Sequence, residues 1–447
     1  MFNEKNSLEK YHIITFGCQM NENDSEIISG LLESQGFSFC PDYREADIIV
    51  INTCAVRKKA EDKVTGLLGE LIDWKSGKKG RVLCVGGCMS QQEEIASYLK
   101  KKFKHIDVIF GTHSMPKLPE MIEKSRFSKE TILDINEDFI RREKLPLKRK
   151  KSYHSWVPII YGCNNFCSYC VVPYVRGREK SRPFPDIMEE VEKLARDGCK
   201  EIMLLGQNVN AYGKDLPEKK SLFSLLLNEL DKIDGIERIR FLTSHPRDFD
   251  EEMVKAIAAT RKVCEHFHLP IQSGSNRILK KMNRGYTRER YIELTEIIKK
   301  YIPGAAITSD IIVGFPGEKT KDFQDTIDLL EKVKLDAAYT FVYSERKNTP
   351  AAEMPNKVSP EEIKERITTL IHKQQEIGFE VNQKYAGKKV EVLVEGKSKT
   401  DKDKYSGRTR TNKLVHFKGK NLKEGDIRIL EITEAKTWHL AGKLTNC

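Results

Sequence analysis

Short apolar runs alternating with amphipathic stretches divide the chain into three segments. From about residue 11 to 127 the runs are YHIITFGC, DIIVINTC, RVLCVGGC and IDVIFGT, separated by helix-like stretches such as NDSEIISGLLESQG. Strands alternating with helices predict a doubly wound parallel sheet. A charged, proline-containing stretch, about 128–152, reads as a linker. From about 153 to 382 a strand–helix unit repeats six times, with strands predicted at WVPIIYG, EIMLLGQN, RIRFLTS, FHLPIQS, AITSDIIVGF and AAYTFVYS. Helices such as PDIMEEVEKLARDGC and DEEMVKAIAAT lie between them. Six such units predict a partial (β/α)6 barrel, with its site at the C-terminal ends of the strands. From 384 to 447 the period shortens to two in KKVEVLVEG, GRTRTNKLVHF and GDIRILEITEAKTWHLAGKL. Alternation with glycine at the turns predicts a small antiparallel β-barrel, with Trp438 in its core.

Charge changes the picture of that last segment. It carries sixteen Lys and Arg against eight Asp and Glu, so +8 of the chain's net +11 falls after residue 383. A second basic run, KLPLKRKK (144–151), falls in the linker. Charge gathered in one terminal module, with His416, Phe417 and Trp438 among its lysines, points to nucleic acid, and small barrels of this kind bind single-stranded or looped RNA. No stretch approaches the roughly 20 apolar residues of a membrane helix. The start, MFNEKNSLEKYH, lacks the apolar core of a secretory signal. The expectation is a cytoplasmic monomer with no membrane contact.

In such a compartment eleven cysteines are not a disulfide framework. GCNNFCSYC places Cys163, Cys167 and Cys170 in a C-x3-C-x2-C arrangement just after the first barrel strand. A structural zinc site needs four protein ligands, and no fourth is evident. Three thiolates so crowded suit a four-iron cluster with one iron left open to a small molecule. In the first segment Cys18, Cys54 and Cys88 each end a predicted strand, which is where open α/β sheets bind ligands. Cys40, Cys84, Cys199, Cys264 and Cys447 have no comparable setting and are expected to be incidental or buried thiols. Polar residues at the predicted barrel strand ends, among them Gln207, Asn208, Ser244 and Gln272, are candidates for binding a cofactor.

GCNNFCSYCVVPYVRGREKSRP resembles the signature of the radical S-adenosylmethionine enzymes. TFGCQMN, VINTCAVRKKAEDKV and VGGCMSQQ resemble the motifs of the methylthiotransferase family. With LLGQNVNAYG, LTSHPRDF, HLPIQSGSNRILKKMNRGYTRERY and SDIIVGFPGE, the likeness covers nearly the whole chain, and the last segment is similar to the RNA-binding TRAM domain. The resemblance implies two [4Fe-4S] clusters, one on Cys163, Cys167 and Cys170 and another on Cys18, Cys54 and Cys88. It implies that S-adenosylmethionine is cleaved to a 5′-deoxyadenosyl radical, with Tyr169 against the adenine. Arg176 and Arg178 are candidates for contacting the substrate or the cofactor carboxylate. The implied reaction adds a methylthio group to C2 of N6-isopentenyladenosine in the anticodon loop of tRNA. An electron donor such as flavodoxin or ferredoxin and a sulfur source are then required partners.

Two alternatives stay open. A methylthiotransferase could act on a ribosomal protein side chain or on threonylcarbamoyladenosine in tRNA. A zinc-containing RNA-binding protein would explain the basic barrel, but not two cysteine trios that each lack a fourth ligand.

Overall fold

The computed structural model describes residues 9–55, 58–136, 138, 142, 145–217, 219–399 and 401–445. The chain forms two compact units. One takes residues 1–150, 161–164 and 170–182, and the other takes 151–160, 165–169 and 183–447.

In the first unit, strands β1 (Lys10–Thr15), β2 (Ser38–Phe39), β3 (Ile48–Thr53), β4 (Val82–Gly87), β5 (Val108–Phe110) and β6 (Ile132–Asp134) form one parallel sheet. Its order is β2-β1-β3-β4-β5-β6. Helices α1 (Gln19–Ser34), α2 (Lys58–Ser76), α3 (Glu93–Lys102) and α4 (Leu118–Ser125) cover its two faces. Side chains alternate across a strand, so neighbours in β3 and β4 enter different cores. Ile48, Val50, Val82 and Cys84 pack with Ile27, Ile28 and Leu32 of α1 and with Met121 and Ile122 of α4. Ile49, Ile51, Leu83 and Val85 pack with Val64, Leu68 and Leu71 of α2 and with Leu99 of α3. That is the doubly wound arrangement the alternation predicts.

The stretch read as a linker contributes to this unit. It supplies β6 as an edge strand, and residues beyond it lie along α1. The Lys148 amide donates to the Glu26 carbonyl at 3.0 Å. Lys148, Arg149 and Lys150 pair with Glu33, Glu26 and Glu22 at 3.1, 3.7 and 2.6 Å. Pro146 passes so close that a Cβ on Gly30 would lie 2.4 Å from its carbonyl. These three cations face carboxylates of α1 and form a strap rather than a free polycation. Lys144 lies outside the described residues.

The second unit opens with β7 (His154–Pro158). The short elements β8 (Ile160–Tyr161), α5 (Val172–Arg176) and β9 (Lys180–Ser181) lie around the cysteine loop in the chain. The core then alternates α6 (Phe184–Arg196), β10 (Glu201–Leu205), α7 (Phe223–Asp231), β11 (Arg238–Phe241), α8 (Glu251–Ala258) and β12 (His266–His268). It continues through α9 (Asn276–Lys281), α10 (Arg288–Tyr301), β13 (Ala306–Val313), α11 (Thr320–Val333), β14 (Ala337–Val342) and the long α12 (Pro360–Gln383). All six predicted strands form and pair in parallel, as β11-β10-β7 and β12-β13-β14. A parallel bridge from Ile239 to Val263 links the two triplets at the β11–β12 step. Sequential parallel order with covering helices is the partial barrel expected from the repeat.

Strands β15 (Lys389–Lys397), β16 (Tyr405–Thr409), β17 (Leu414–Lys418), β18 (Ile427–Ala435) and β19 (Leu440–Leu444) close a barrel in the order β15-β16-β17-β19-β18. Every pairing is antiparallel except that of β17 with β19, which is parallel. Val392, Val394, Val415, Phe417, Leu430, Ile432 and Leu440 fill it. Trp438 does not: it is 63% exposed, correcting the expectation of a core residue. It sits in the turn between β18 and β19, where the Lys436 amide bonds the His439 carbonyl, and a turn offers no inward-facing position.

Buried arginines fasten this barrel to the N-terminal ends of the core strands. Arg238, wholly buried, donates to Glu391 at 2.8 and 3.0 Å and to the Arg408 carbonyl at 2.8 Å. Arg240 donates to Glu201 at 2.7 Å and to the carbonyls of Thr409 and Arg410 at 2.8 and 2.9 Å. Arg410 reaches back to Glu265 at 2.7 Å, and Lys413 pairs with Asp336 at 2.7 Å. Burial alone would raise the Glu201 pKa, but Arg240 and His154 overcome it and bring it from 4.5 to about 2. A depressed carboxylate stabilises the fold above its unfolded pKa, and that stability is lost as pH falls through the folded value. Acid should therefore loosen this junction between about pH 4.5 and pH 2. Glu201→Gln should cost about 3–5 kcal/mol at neutral pH, because it strands a buried guanidinium, and should flatten the pH dependence over that window. Denaturant unfolding followed from neutral to acid pH measures both.

Candidate metal centres

Cys18, Cys54 and Cys88 follow β1, β3 and β4, which are neighbours in the sheet. Their common position at the carboxyl ends of adjacent strands brings them together. Burial pushes the Cys88 thiol up to about 12, Arg176 opposes that rise, and Cys54 and Cys18 add to it through their proximity. Cys54 and Cys88 are buried and Cys18 is exposed at the N-cap of α1. Gly17 is required here: its φ is +130°, and a Cβ would lie 2.9 Å from the Cys54 Cβ.

Beneath the thiols lies an amide network that the sequence reading passed over. Asn21 donates to the Thr53 carbonyl at 2.8 Å and to Asn52 at 3.2 Å, while Asn52 returns a bond to the Asn21 carbonyl at 2.9 Å. The Cys18 thiol donates to Asn21 Oδ1 at 3.3 Å. Both asparagines stand in the quoted motifs, FGCQMN and VINTC, but nothing in the spacing told them from turn residues.

Arg176 lies in the same unit and is buried. Its Nε donates to the Cys88 sulfur at 3.2 Å and its Nη2 to Asp24 at 2.8 Å. The side chain expected to contact the substrate or the cofactor carboxylate is thus closed in between a thiol and a carboxylate. Arg178 is exposed.

Of the second trio, Cys163 and Cys170 belong to the first unit, and Cys167 and Tyr169 to the second. The Cys163 amide donates to the Gly177 carbonyl at 3.1 Å. In the second unit the buried Arg284 donates to the Cys167 sulfur at 3.3 Å, to the Tyr286 hydroxyl at 3.0 Å and to the Pro270 carbonyl at 2.5 Å. Burial opposes the charge of Arg284, yet Tyr169, Tyr286 and Cys167 hold its pKa well above the usual arginine value. Arg284 stands in the quoted MNRGYTRERY, yet no spacing ties it to a cysteine 117 residues away. Tyr169 is half-buried against Ile278, Met282, Phe315 and Ala351.

The polar strand ends vary in character. Asn208 donates to Asp248 at 2.9 Å and accepts from the His245 amide at 3.1 Å, so its amide is already committed. Gln272 adopts φ +72°, its amide bonded to the Asp310 carbonyl at 2.9 Å. Gln207 is half-buried. Ser244 Oγ, His245 Nε2 and Tyr343 OH are buried with no hydrogen-bond partner among the described residues. A buried polar atom without a partner costs about 1–3 kcal/mol, so such groups call for a ligand or water. Burial, then Arg284, lower the His245 pKa to about 2 and keep its ring neutral.

Among the described residues no three His, Cys, Asp or Glu side chains close tightly enough for a single metal ion. A four-iron cluster is wider than one ion, and its thiolates stand correspondingly further apart. Cys40, Cys84, Cys199 and Cys264 are buried. Cys84 points into the α1–α4 core, and burial drives its pKa well above the usual thiol value. Cys447 lies outside the described residues.

Comparison with known proteins adds the lineage. The radical SAM superfamily model matches residues 157–330, the TRAM domain model 383–445, and a model described as uncharacterized protein family UPF0004 matches 10–111. A tRNA-2-methylthio-N(6)-dimethylallyladenosine synthase of Natranaerobius thermophilus is 51% identical over 98% of this chain and 97% of its own. Its counterpart in Pelotomaculum thermopropionicum is 53% identical over 98% of each. Among solved structures, the radical S-adenosylmethionine methyltransferase TsrM of Kitasatospora setae superposes with a TM-score of 0.55 at 15% identity, covering 77% of this chain and 75% of its own, a likeness of fold. With half its residues shared along almost its whole length, the chain belongs to the family of the tRNA-2-methylthio-N(6)-dimethylallyladenosine synthases, within the radical SAM superfamily.

Proposed function

We propose that this protein adds a methylthio group to C2 of N6-isopentenyladenosine in tRNA, using S-adenosylmethionine and two [4Fe-4S] clusters. The observation that carries this reading is kinship along the full chain, through all three matched regions, with synthases of that name. The chemistry agrees. The C2–H bond of an adenine is not acidic enough for a side-chain base, so a cofactor must perform the hard step while the protein positions the base.

When bound, a cluster at Cys163, Cys167 and Cys170 supplies the electron that splits S-adenosylmethionine, and one at Cys18, Cys54 and Cys88 supplies the seat for sulfur. Three protein thiolates at each leave one iron for a small ligand. The side chains fit such groups: a buried guanidinium donates to one sulfur of each trio, Arg176 to Cys88 and Arg284 to Cys167. The unpartnered Ser244, His245 and Tyr343 atoms suit the polar part of S-adenosylmethionine, and Tyr169 suits its adenine. The neutral His245 accepts the Arg247 amide at Nδ1 at 3.3 Å, so its unpartnered Nε2 carries the proton and donates without adding charge. A one-electron donor such as flavodoxin or ferredoxin and a sulfur source complete the reaction.

The basic barrel is the element for the tRNA, and it acts in the cytoplasm as part of a monomer. It is fixed at the N-terminal ends of the core strands, opposite the ends that carry Ser244 and Gln272. At about 3.3 Å per residue, the eight-residue β13 spans roughly 26 Å. The barrel therefore grips RNA at a distance from the reacting base.

The decisive assay incubates anaerobically reconstituted protein with reductant, S-adenosylmethionine and anticodon stem-loop RNA, with and without the isopentenyl group. Mass spectrometry of the nucleosides should find a methylthio adduct on the isopentenylated RNA alone. Intact clusters that yield neither adduct nor deoxyadenosine would overturn the reading. Cys163→Ala should bring S-adenosylmethionine cleavage below detection. Cys54→Ala should abolish the methylthio product yet leave some uncoupled deoxyadenosine, and equal loss of both would remove the division of labour. Gly17→Ala should cost about 1–3 kcal/mol in an unfolding titration, because alanine is strained at that φ, and should lower bound iron.

A further inference from the structure

We infer that Arg176 sets the reduction potential of the cluster held by Cys18, Cys54 and Cys88, acting as a positioning residue clamped by Asp24 and bonded to the Cys88 sulfur. The inference rests on the two-cluster reading above and goes beyond it, since that reading assigns Arg176 no part in electron chemistry.

Geometry comes first. A guanidinium presents its N–H groups in a fixed planar fork, so holding two of them fixes the third. Nη2 of Arg176 is held by Asp24 at 2.8 Å and reaches Asn21 Oδ1 at 3.4 Å, which leaves Nε–H directed at the Cys88 sulfur at 3.2 Å. Asp24 is itself fixed by a second buried arginine, Arg142, which donates to it at 2.8 Å and lies over the Tyr161 ring. The chain thus spends two buried guanidiniums and a carboxylate on orienting one N–H toward one thiol.

Charge comes next. Two guanidiniums share the single carboxylate of Asp24. His113, beside both arginines, adds no positive charge of its own: burial, then Arg142 and Arg176, lower its pKa to about 4 and leave it neutral. Arg176 and Asp24 are each about 5% exposed, so water screens their fields little. A cluster gains one negative charge on reduction. A fixed cation bonded to a ligand sulfur stabilises that reduced form more than the oxidised one, and so raises the potential. A carboxylate in the same place does the reverse.

Opposite signs make the test specific. In a variant with Cys163, Cys167 and Cys170 all changed to Ala, only the N-terminal trio remains to be reconstituted. A redox titration of that cluster followed by electron paramagnetic resonance needs no turnover. Arg176→Gln, which keeps a hydrogen-bond donor but removes the charge, should shift the midpoint to lower potential. Asp24→Asn, which leaves the guanidinium charge uncompensated, should shift it to higher potential. General damage to the fold would not produce shifts of opposite sign. Iron-loaded variants that both keep the parent midpoint would overturn the inference while leaving the two-cluster reading intact. A parent that takes up no iron or sulfide at this trio would overturn the two-cluster reading, and the inference with it. Should Arg176→Gln fail to load, Asp24→Asn decides: an unchanged or lowered midpoint overturns the inference.

Discussion

A thiol that must act as a thiolate cannot be buried among apolar side chains without positive charge or iron beside it. Cys88 and Cys167 are both buried, and each meets a buried guanidinium, Arg176 at 3.2 Å and Arg284 at 3.3 Å. Much of the surrounding structure follows from supporting those two arginines. Asp24, Asn21 and Arg142 hold the first, and Tyr286 and the Pro270 carbonyl hold the second. Cys84, four positions before Cys88 and within β4, faces an apolar core, where burial drives its pKa well above the usual thiol value.

The same residue type performs a mechanical task at the N-terminal ends of the core strands. Arg238, Arg240 and Arg410 cross between core and barrel through carboxylates and backbone carbonyls. Ion pairs this deeply buried add little net stability over apolar packing, but their geometry is specific. Bidentate, carbonyl-directed contacts fix how the barrel sits on the core, so the barrel has a set relation to the strand ends. The other basic cluster is different. Lys148, Arg149 and Lys150 are matched by glutamates of α1, which reduces what that run offers to a polyanion.

Much of this was legible along the chain, because period-two and helical patterns record which face of an element is buried. The six core strands, the four main strands of the first sheet and the barrel all lie where alternation placed them. The cysteines stand out for a different reason: Cys18, Cys54 and Cys88 each follow a predicted strand, and Cys163, Cys167 and Cys170 crowd into eight residues. Strands β2 and β6 escaped notice because two or three residues carry no period. Trp438 was misread because hydrophobicity alone does not tell a strand from its turn.

The sequence by itself determined the segment order, the parallel sheets, the basic barrel and the two sets of cysteines, since each rests on local pattern and composition. Only tertiary structure decided the rest. It set Arg176 against Cys88, brought Arg284 to a cysteine 117 residues away, set β17 parallel to β19, and placed the barrel at the N-terminal strand ends. The reason is the same in each case. A charged side chain's partner, and a strand's neighbour, are chosen by which distant segments pack together, and no local pattern encodes that choice.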